Sequence, residues 1–337
     1  MQSEPGRFNE FIINIQKYYD QNKRALPWRK SPPVPYEIWL SEVIMQQTRI
    51  AQGTPYFEKI LAAFPTPQAL AEAPEDELLA LWTGLGYYNR ARNLQKGARQ
   101  VVDRFGGELP TTYEELLSIT GIGPYTAAAI SSICFSQRVG VVDGNVYRVL
   151  SRYFGWDTPI NSTLGQRQFQ ALANELIAQV ERPGDYNQGL MEFGALHCTP
   201  QKPLCTFCPL IESCEAYATH KVNELPVKIK KGKRGETHLH YQVVQNSQGL
   251  AMVKRGNDGI WAGLYEFPTL PSPPAHGKLL EPPTLHKLSH KDLHCHFWGV
   301  APEQLLVEDQ SCVYLDREAL HTVGIPAVIR DFVERNL

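Results

Sequence analysis

The sequence predicts two architectures in series, an all-helical segment followed by a smaller mixed α/β segment, and three observations carry that prediction. Up to about Tyr217, apolar residues recur at three- and four-residue spacing, as in PQALAEAPEDELLALWTGLG and FQALANELIAQV, with short Gly/Pro-bearing loops between them. At Lys221 the period stops. KVNELPVKIKKGKRGETH sets Lys221, Lys228, Lys230, Lys231, Lys233 and Arg234 against only Glu224 and Glu236. Beyond it, HLHYQVVQNSQGLAMVKR reads as two β-rich runs around an Asn-Ser-Gln-Gly turn, a hairpin. The chain closes on a helix from Ala327 to Arg335, entered at Pro326. The expected division is therefore a helical domain over 1–220, a basic linker over 221–238 and an α/β domain over 239–337. The linker has two readings, a spacer that stays solvated or a segment that follows a phosphate backbone.

The bulk numbers bound the function. A chain of 337 residues suits two domains, with 43% apolar and 20% charged residues in the ordinary globular range. A formal charge of −2 excludes nucleic-acid binding through a whole-protein field, so any DNA contact has to come from local basic patches. The N-terminal MQSEPGRFNE lacks the apolar centre of a secretory leader. No apolar run approaches the roughly 20 residues that span a bilayer. A soluble cytoplasmic protein without membrane association is expected.

Four of the seven cysteines crowd into one stretch, while Cys134, Cys295 and Cys312 stand singly in apolar surroundings. Cys198, Cys205, Cys208 and Cys214 give C-x6-C-x2-C-x5-C. Four thiolates so close suit a [4Fe–4S] cluster. Structural zinc usually takes two close knuckles rather than one pair and two outliers. Zinc and disulfides are the alternatives.

LLSITGIGPYTAAAI sets Gly121-Ile122-Gly123 between two helical runs, with Pro124 opening the second. Two glycines let a phosphate approach the backbone, and the amides of the helix start supply donors. A plain helix–turn–helix connection would read similarly. In VVDGNVYRVLSR, Asp143 fits a helix N-cap, where amides and the helix dipole hold a carboxylate anionic. Such an anion can stabilise a positive charge that develops beside it. Glu42 sits in YEIWLSEVIMQQT; its neighbours one turn away, Ile38, Trp39, Met45 and Gln46, include no cation. Desolvation there raises its pKa and keeps a proton available. A surface glutamate is the alternative.

The cysteine spacing, the Gly-Ile-Gly segment and the Asp143 and Glu42 motifs together resemble the endonuclease III/MutY family of base-excision glycosylases, in its adenine-specific branch. The resemblance implies a helix-hairpin-helix glycosylase core with a cluster loop at 198–214, followed by a Nudix-like domain. It implies that Glu42 protonates the departing adenine, on its imidazole ring, and that Asp143 stabilises the sugar cation or traps it covalently. The family's lyase branch carries a nucleophilic lysine just after the hairpin glycines, and here that position is Tyr125. A phenol cannot form a Schiff base, so hydrolysis without strand cleavage is implied.

By the same resemblance, Tyr87 in GLGYYNRARNL wedges beside an oxidised guanine, and Gln46, Gln47 and Thr48 fill the gap left by the flipped base. Arg29 in LPWRK and Gln188 in YNQGLMEFG face adenine, and Gly121, Gly123 and Asn145 hold DNA. In the second domain, GIWAGLYEFPTL and LHKLSHKDLHCHFWGV are similar to the Nudix-like module that senses 8-oxoguanine, with Ser289 and His290 as the reading groups. The acidic metal-binding box of true Nudix hydrolases is not visible. Three departures stand out. Thr120 replaces a frequent proline, which is expected to loosen the hairpin. Leu288 replaces a frequent phenylalanine, and Gln188 replaces a glutamate found in some relatives. The implied partner is double-stranded DNA carrying 8-oxoguanine:A or G:A mispairs, met by a monomer with a [4Fe–4S] cofactor. Three other readings compete: a bifunctional pyrimidine-lesion glycosylase/lyase, a non-catalytic lesion-binding module, and a nucleotide-pool hydrolase. Tyr125, the paired carboxylates and the missing acidic box speak against each in turn.

Overall fold

The computed structural model describes residues 5–229, 234–256, 258–288, 291–306 and 312–337. The chain groups into two compact units, each built from two stretches. One joins Met1–Gln46 to Gly97–Lys231, and the other joins Gln47–Lys96 to Gly232–Leu337. This grouping cuts across the sequential division near residue 220.

The first unit is helical. Pro5–Asn22 packs on Pro183–Leu196, which also packs on Pro124–Phe135 and Gly144–Phe154. Their apolar faces bury Phe8, Phe11, Ile15, Tyr153, Phe169 and Phe193 almost completely. Each such side chain contributes about 1.5–3 kcal/mol through removal from water. Cys198, Cys208 and Cys214 pack against this same core. Gly144–Phe154 begins at the Asp143 cap and ends at Gly155, whose φ of 71° closes the helix in the left-handed conformation. The first part of the expected basic linker belongs to this unit. Leu225 is buried, its carbonyl accepts from Arg152 Nε at 3.1 Å, and the Ile160 amide donates to the Val227 carbonyl at 3.0 Å. Lys230, Lys231 and Lys233 lie outside the described residues.

In the second unit, helices over 50–82 share a body with two sheets. The described strands are β1 (Gly235–Val243), β2 (Gln245–Asn246), β3 (Gly249–Lys254), β4 (Tyr265–Glu266), β5 (Thr269–Leu270), β6 (Lys278–Leu279), β7 (Thr284–Lys287), β8 (Lys291–Gly299) and β9 (Cys312–Leu315). A five-stranded sheet runs β5-β1-β8-β6, with β7 also on β8; a four-stranded sheet runs β2-β3-β4, with β9 also on β3. The expected hairpin is only partly present. Its turn closes the short β2/β3 pair, where the Asn246 side chain accepts from the Gln248 amide at 2.8 Å. The first run, β1, instead pairs in parallel with β8 from Gly235↔Lys291 to Val243↔Gly299. The physical reason is burial: the last four residues of β1 are covered on both faces, which suits a central strand. Phe267, Phe297 and Phe332 form the core, the last two stacked 4.0 Å apart. Lys254–Asp76 at 2.8 Å and Tyr88 Oη donating to the Ile325 carbonyl at 3.0 Å tie the helical and sheet parts of this unit together. The closing helix spans Ala327–Asn336 with Pro326 as N-cap, as expected. No helix among the described residues is long and apolar enough to cross a membrane.

Candidate active site

Glu42 lies on the helix Pro35–Met45, entered at a proline and buried over most of its length: Ile38, Trp39, Leu40, Val43 and Ile44 are at most 3% exposed. The sequence is apolar around the whole helix, so Glu42 is a carboxylate set into an apolar wall while keeping some exposure. Burial raises its pKa to about 7; the Tyr125 hydrogen bond opposes that rise, the Asp143 charge adds to it, and Arg29 opposes it. Tyr125 comes from the hairpin helix Pro124–Phe135. Its hydroxyl donates to Glu42 Oε2 at 2.7 Å, with Met191 Sδ 3.1 Å away. Burial first, and then the Glu42 and Asp143 charges, hold the phenol well above its ordinary range, so it stays a neutral donor.

Asp143 caps Gly144–Phe154 as expected. Oδ1 accepts the Asn145 and Val146 amides, each at 2.8 Å, and Oδ2 accepts Asn145 Nδ2 at 2.8 Å. Burial outweighs the amide bonds and the Arg148 charge, and the net shift of the Asp143 pKa is upward. Asn145, read from the sequence as a DNA contact, holds Asp143 Oδ2 through its side-chain amide nitrogen. Its own Oδ1 accepts Arg148 Nη2 at 2.9 Å.

Arg29 and Gln188 meet: Arg29 Nε donates to Gln188 Oε1 at 3.0 Å, so that oxygen is already committed. Both line a cavity of about 780 Å³ together with Tyr19, Lys23, Trp28 and Ile38. Ile38, which lines it, stands one helical turn before Glu42 on the same helix. A cavity of that volume suits a nucleotide-sized ligand. Its anchor escaped the sequence reading. Glu192, 2% exposed, takes bidentate bonds from Arg24 at 2.7 Å and further bonds from Arg29 at 3.1 and 3.3 Å. Although burial pushes the other way, these bonds lower its pKa to about 2. The available signal was an acid one turn after Gln188 in an otherwise apolar run.

The hairpin supports the phosphate reading in its geometry. Gly121 has φ 86°, which a side chain would strain; Gly121 and Gly123 are exposed, and no side chain caps the helix that follows. Thr120 does not leave the loop slack. Its amide, which proline would lack, donates to Gln100 Oε1 at 2.7 Å.

Gln46 belongs with this unit, whereas Gln47, Thr48 and Tyr87 belong to the other. Gln47 and Tyr87 have φ of 58° and 49°, uncommon for such residues and typical of functional positions. Tyr87 is 49% exposed, with Arg90 5.7 Å from its ring. Ser289 and His290 lie outside the described residues.

The four loop cysteines are free thiols, and the charges of Cys198, Cys205 and Cys214 all act on Cys208. Burial raises Cys208 to about 12 and pushes Cys205 and Cys214 up. Such thiols ionise readily only beside a metal. Arg152 Nη1 stands 3.4 Å from Cys198 Sγ and Arg148 Nε bonds the Cys198 carbonyl at 2.7 Å, so two arginines missed by the sequence reading hold the loop. Among the described residues no three His, Cys, Asp or Glu side chains stand in metal-holding geometry. The fit to a cluster rests on an all-thiol donor set gathered on one short loop, and that set is suitable.

Two family models match the chain. Residues 40–175 match the HhH-GPD superfamily of base excision DNA repair proteins, and residues 240–335 match the NUDIX domain. An adenine DNA glycosylase of Buchnera aphidicola is 30% identical over 97% of this chain and 98% of its own length. The human adenine DNA glycosylase is 46% identical over 95% of this chain and 72% of its own length. The chain belongs to the adenine DNA glycosylase family. It spans 63% of the length of the Mus musculus relative, at 46% identity over 81% of this chain. Among solved structures, a thermostable thymine-DNA glycosylase has a TM-score of 0.58 at 28% identity, covering 64% of this chain and 98% of its own. An endonuclease III–DNA complex, at 23% identity and TM-score 0.55, covers 65% and 99% and shares the fold.

Proposed function

We propose that this adenine glycosylase family member removes adenine paired with 8-oxoguanine or guanine in double-stranded DNA. The observation that supports it most is the Glu42–Tyr125 pair with the capped Asp143, together with a nucleotide-sized cavity lined by Arg29 and Gln188. In this reading the adenine nucleotide is flipped into that cavity, where Arg29 and Gln188 meet the base. Glu42 gives its proton to the imidazole ring as the C1′–N9 bond breaks, and adenine leaves neutral. Asp143 faces the developing sugar cation, stabilising it or bonding C1′ transiently. Water then attacks C1′ and returns a proton to the Glu42 carboxylate. Gly121 and Gly123 hold the backbone, and Gln46, Gln47, Thr48 and Tyr87 support the opened duplex. Ser289 and His290 are assigned to the oxidised guanine on family resemblance. Cys198, Cys205, Cys208 and Cys214 would hold a [4Fe–4S] cluster that staples their loop.

The test is single-turnover cleavage of duplexes carrying 8-oxoguanine:A, G:A or an oxidised pyrimidine. Adenine release from the first two is expected, with strand breakage only after alkali, because position 125 has no amine and its hydroxyl is engaged by Glu42. Efficient borohydride trapping of a protein–DNA adduct, or cutting of the pyrimidine duplex alone, would favour the lyase branch instead. For the cluster, anaerobically purified protein should be yellow-brown with about four irons and four sulfides per chain. A colourless preparation with stoichiometric zinc would contradict it.

A further inference from the structure

β1 and β8 lie side by side, and each carries a His-x-His pair: His238 with His240, and His294 with His296. Period-two alternation sets all four on one face, opposite the core residues Tyr241, Cys295 and Phe297. The rings interleave across the strands. His294 stacks on His238 at 4.7 Å, His238 lies 5.4 Å from His296, and His296 stacks on His240 at 4.5 Å. Trp298 Nε1 donates to His240 Nδ1 at 3.3 Å, which occupies that nitrogen. The pair that matters is His238 Nδ1 and His296 Nε2, 3.1 Å apart, with His238 exposed to solvent.

Two imidazole nitrogens facing one another either share a proton or bind one cation. With metal–nitrogen bonds of about 2.0–2.1 Å, a separation near 3.1 Å gives a ligand angle of roughly 100°, close to tetrahedral. Glu236 and Asp292 continue the same face one step along β1 and β8, with Asp292 paired to Arg234 at 3.4 Å. We propose that this face of the five-stranded sheet is a divalent transition-metal site, with His238 Nδ1 and His296 Nε2 as its protein ligands. No third side chain among the described residues is preset to join them, so water or an exogenous donor completes the shell. Imidazole ligation selects zinc, copper or nickel over magnesium or calcium. Bound there, the ion bridges the two central strands of the sheet.

The test titrates zinc chloride into the full chain, purified with its cysteine loop loaded, by isothermal calorimetry. His238→Ala and His296→Ala are compared with His321→Ala, an exposed histidine on a separate helix. A zinc-binding event is expected in the parent and in His321→Ala, weakened about tenfold or more in the other two. Independently, zinc should shield His238 and His296 of the unaltered chain from diethylpyrocarbonate, mapped by mass spectrometry. An unchanged titration in both variants overturns the site, as does undiminished labelling of both histidines. A binding event that disappears only when the cysteines are alkylated also overturns it, by moving the zinc to their loop.

Discussion

Replacing Glu42 by glutamine should lower single-turnover adenine release by about 10²–10⁴-fold, the range a positioned general acid supplies, while mispair binding changes little. Glutamine keeps the side-chain shape and an oxygen for the Tyr125 hydroxyl, which stands 2.7 Å away. What it loses is the transferable proton. The pH dependence follows from the pKa near 7. The acid form persists below that value, so the unaltered protein should keep its rate on the acid side and lose it as pH rises through about 7. The variant should lack this limb. Linkage gives a second, independent sign. A carboxyl raised in the fold above its unfolded value adds stability that is complete below the unfolded pKa and disappears as pH climbs through the folded one. Thermal unfolding of Glu42→Gln against the parent should therefore favour the variant more at pH 8 than at pH 5. Near-parental turnover by a folded Glu42→Gln protein would remove the residue from the chemistry.

The parts of this site that were legible in the sequence are the local ones. A cap, a Gly-x-Gly turn and a cysteine cluster are each encoded within about twenty residues, and the periodic text gave the helices around them. What stayed hidden depends on long-range closure. Arg24 reaches Glu192 across 168 positions, and Tyr125 reaches Glu42 across 83. No local period encodes either contact. The apolar turn around Glu42 did signal its raised pKa, because desolvation depends on near neighbours. For Asp143 the cap was legible, and the burial that works against it was not. The amide donors are visible in a capping motif, whereas the packing that outweighs them is contributed by other helices. The expected hairpin was only partly right for a related reason: turn chemistry at Asn246 is local, but parallel pairing of β1 with β8 joins segments more than fifty residues apart. Thr120 adds a smaller lesson. A departure from a family's proline was expected to weaken the loop, yet the amide it restores has a partner.

The second large effect is expected at Asp143, where the choice of replacement separates structure from chemistry. Asparagine keeps an oxygen for the Asn145 and Val146 amides, each 2.8 Å from Oδ1, and it is as good a helix cap as aspartate. It loses the charge facing the sugar cation. It also turns an amide nitrogen toward Asn145 Nδ2, which cannot simply rotate away because Asn145 Oδ1 is held by Arg148. Asp143→Asn should therefore lower excision by about 10²–10³-fold, the range reported by loss of one preorganised charge partner. Its melting temperature should fall by only a few degrees, since the lost bond is worth about 1 kcal/mol. Asp143→Ala should be equally inactive and less stable, because the cap itself contributes about 1 kcal/mol. The informative contrast is between the two variants. If Asp143→Asn turned over near the parental rate while Asp143→Ala did not, capping would be the whole role of the residue, and the cation would need another partner.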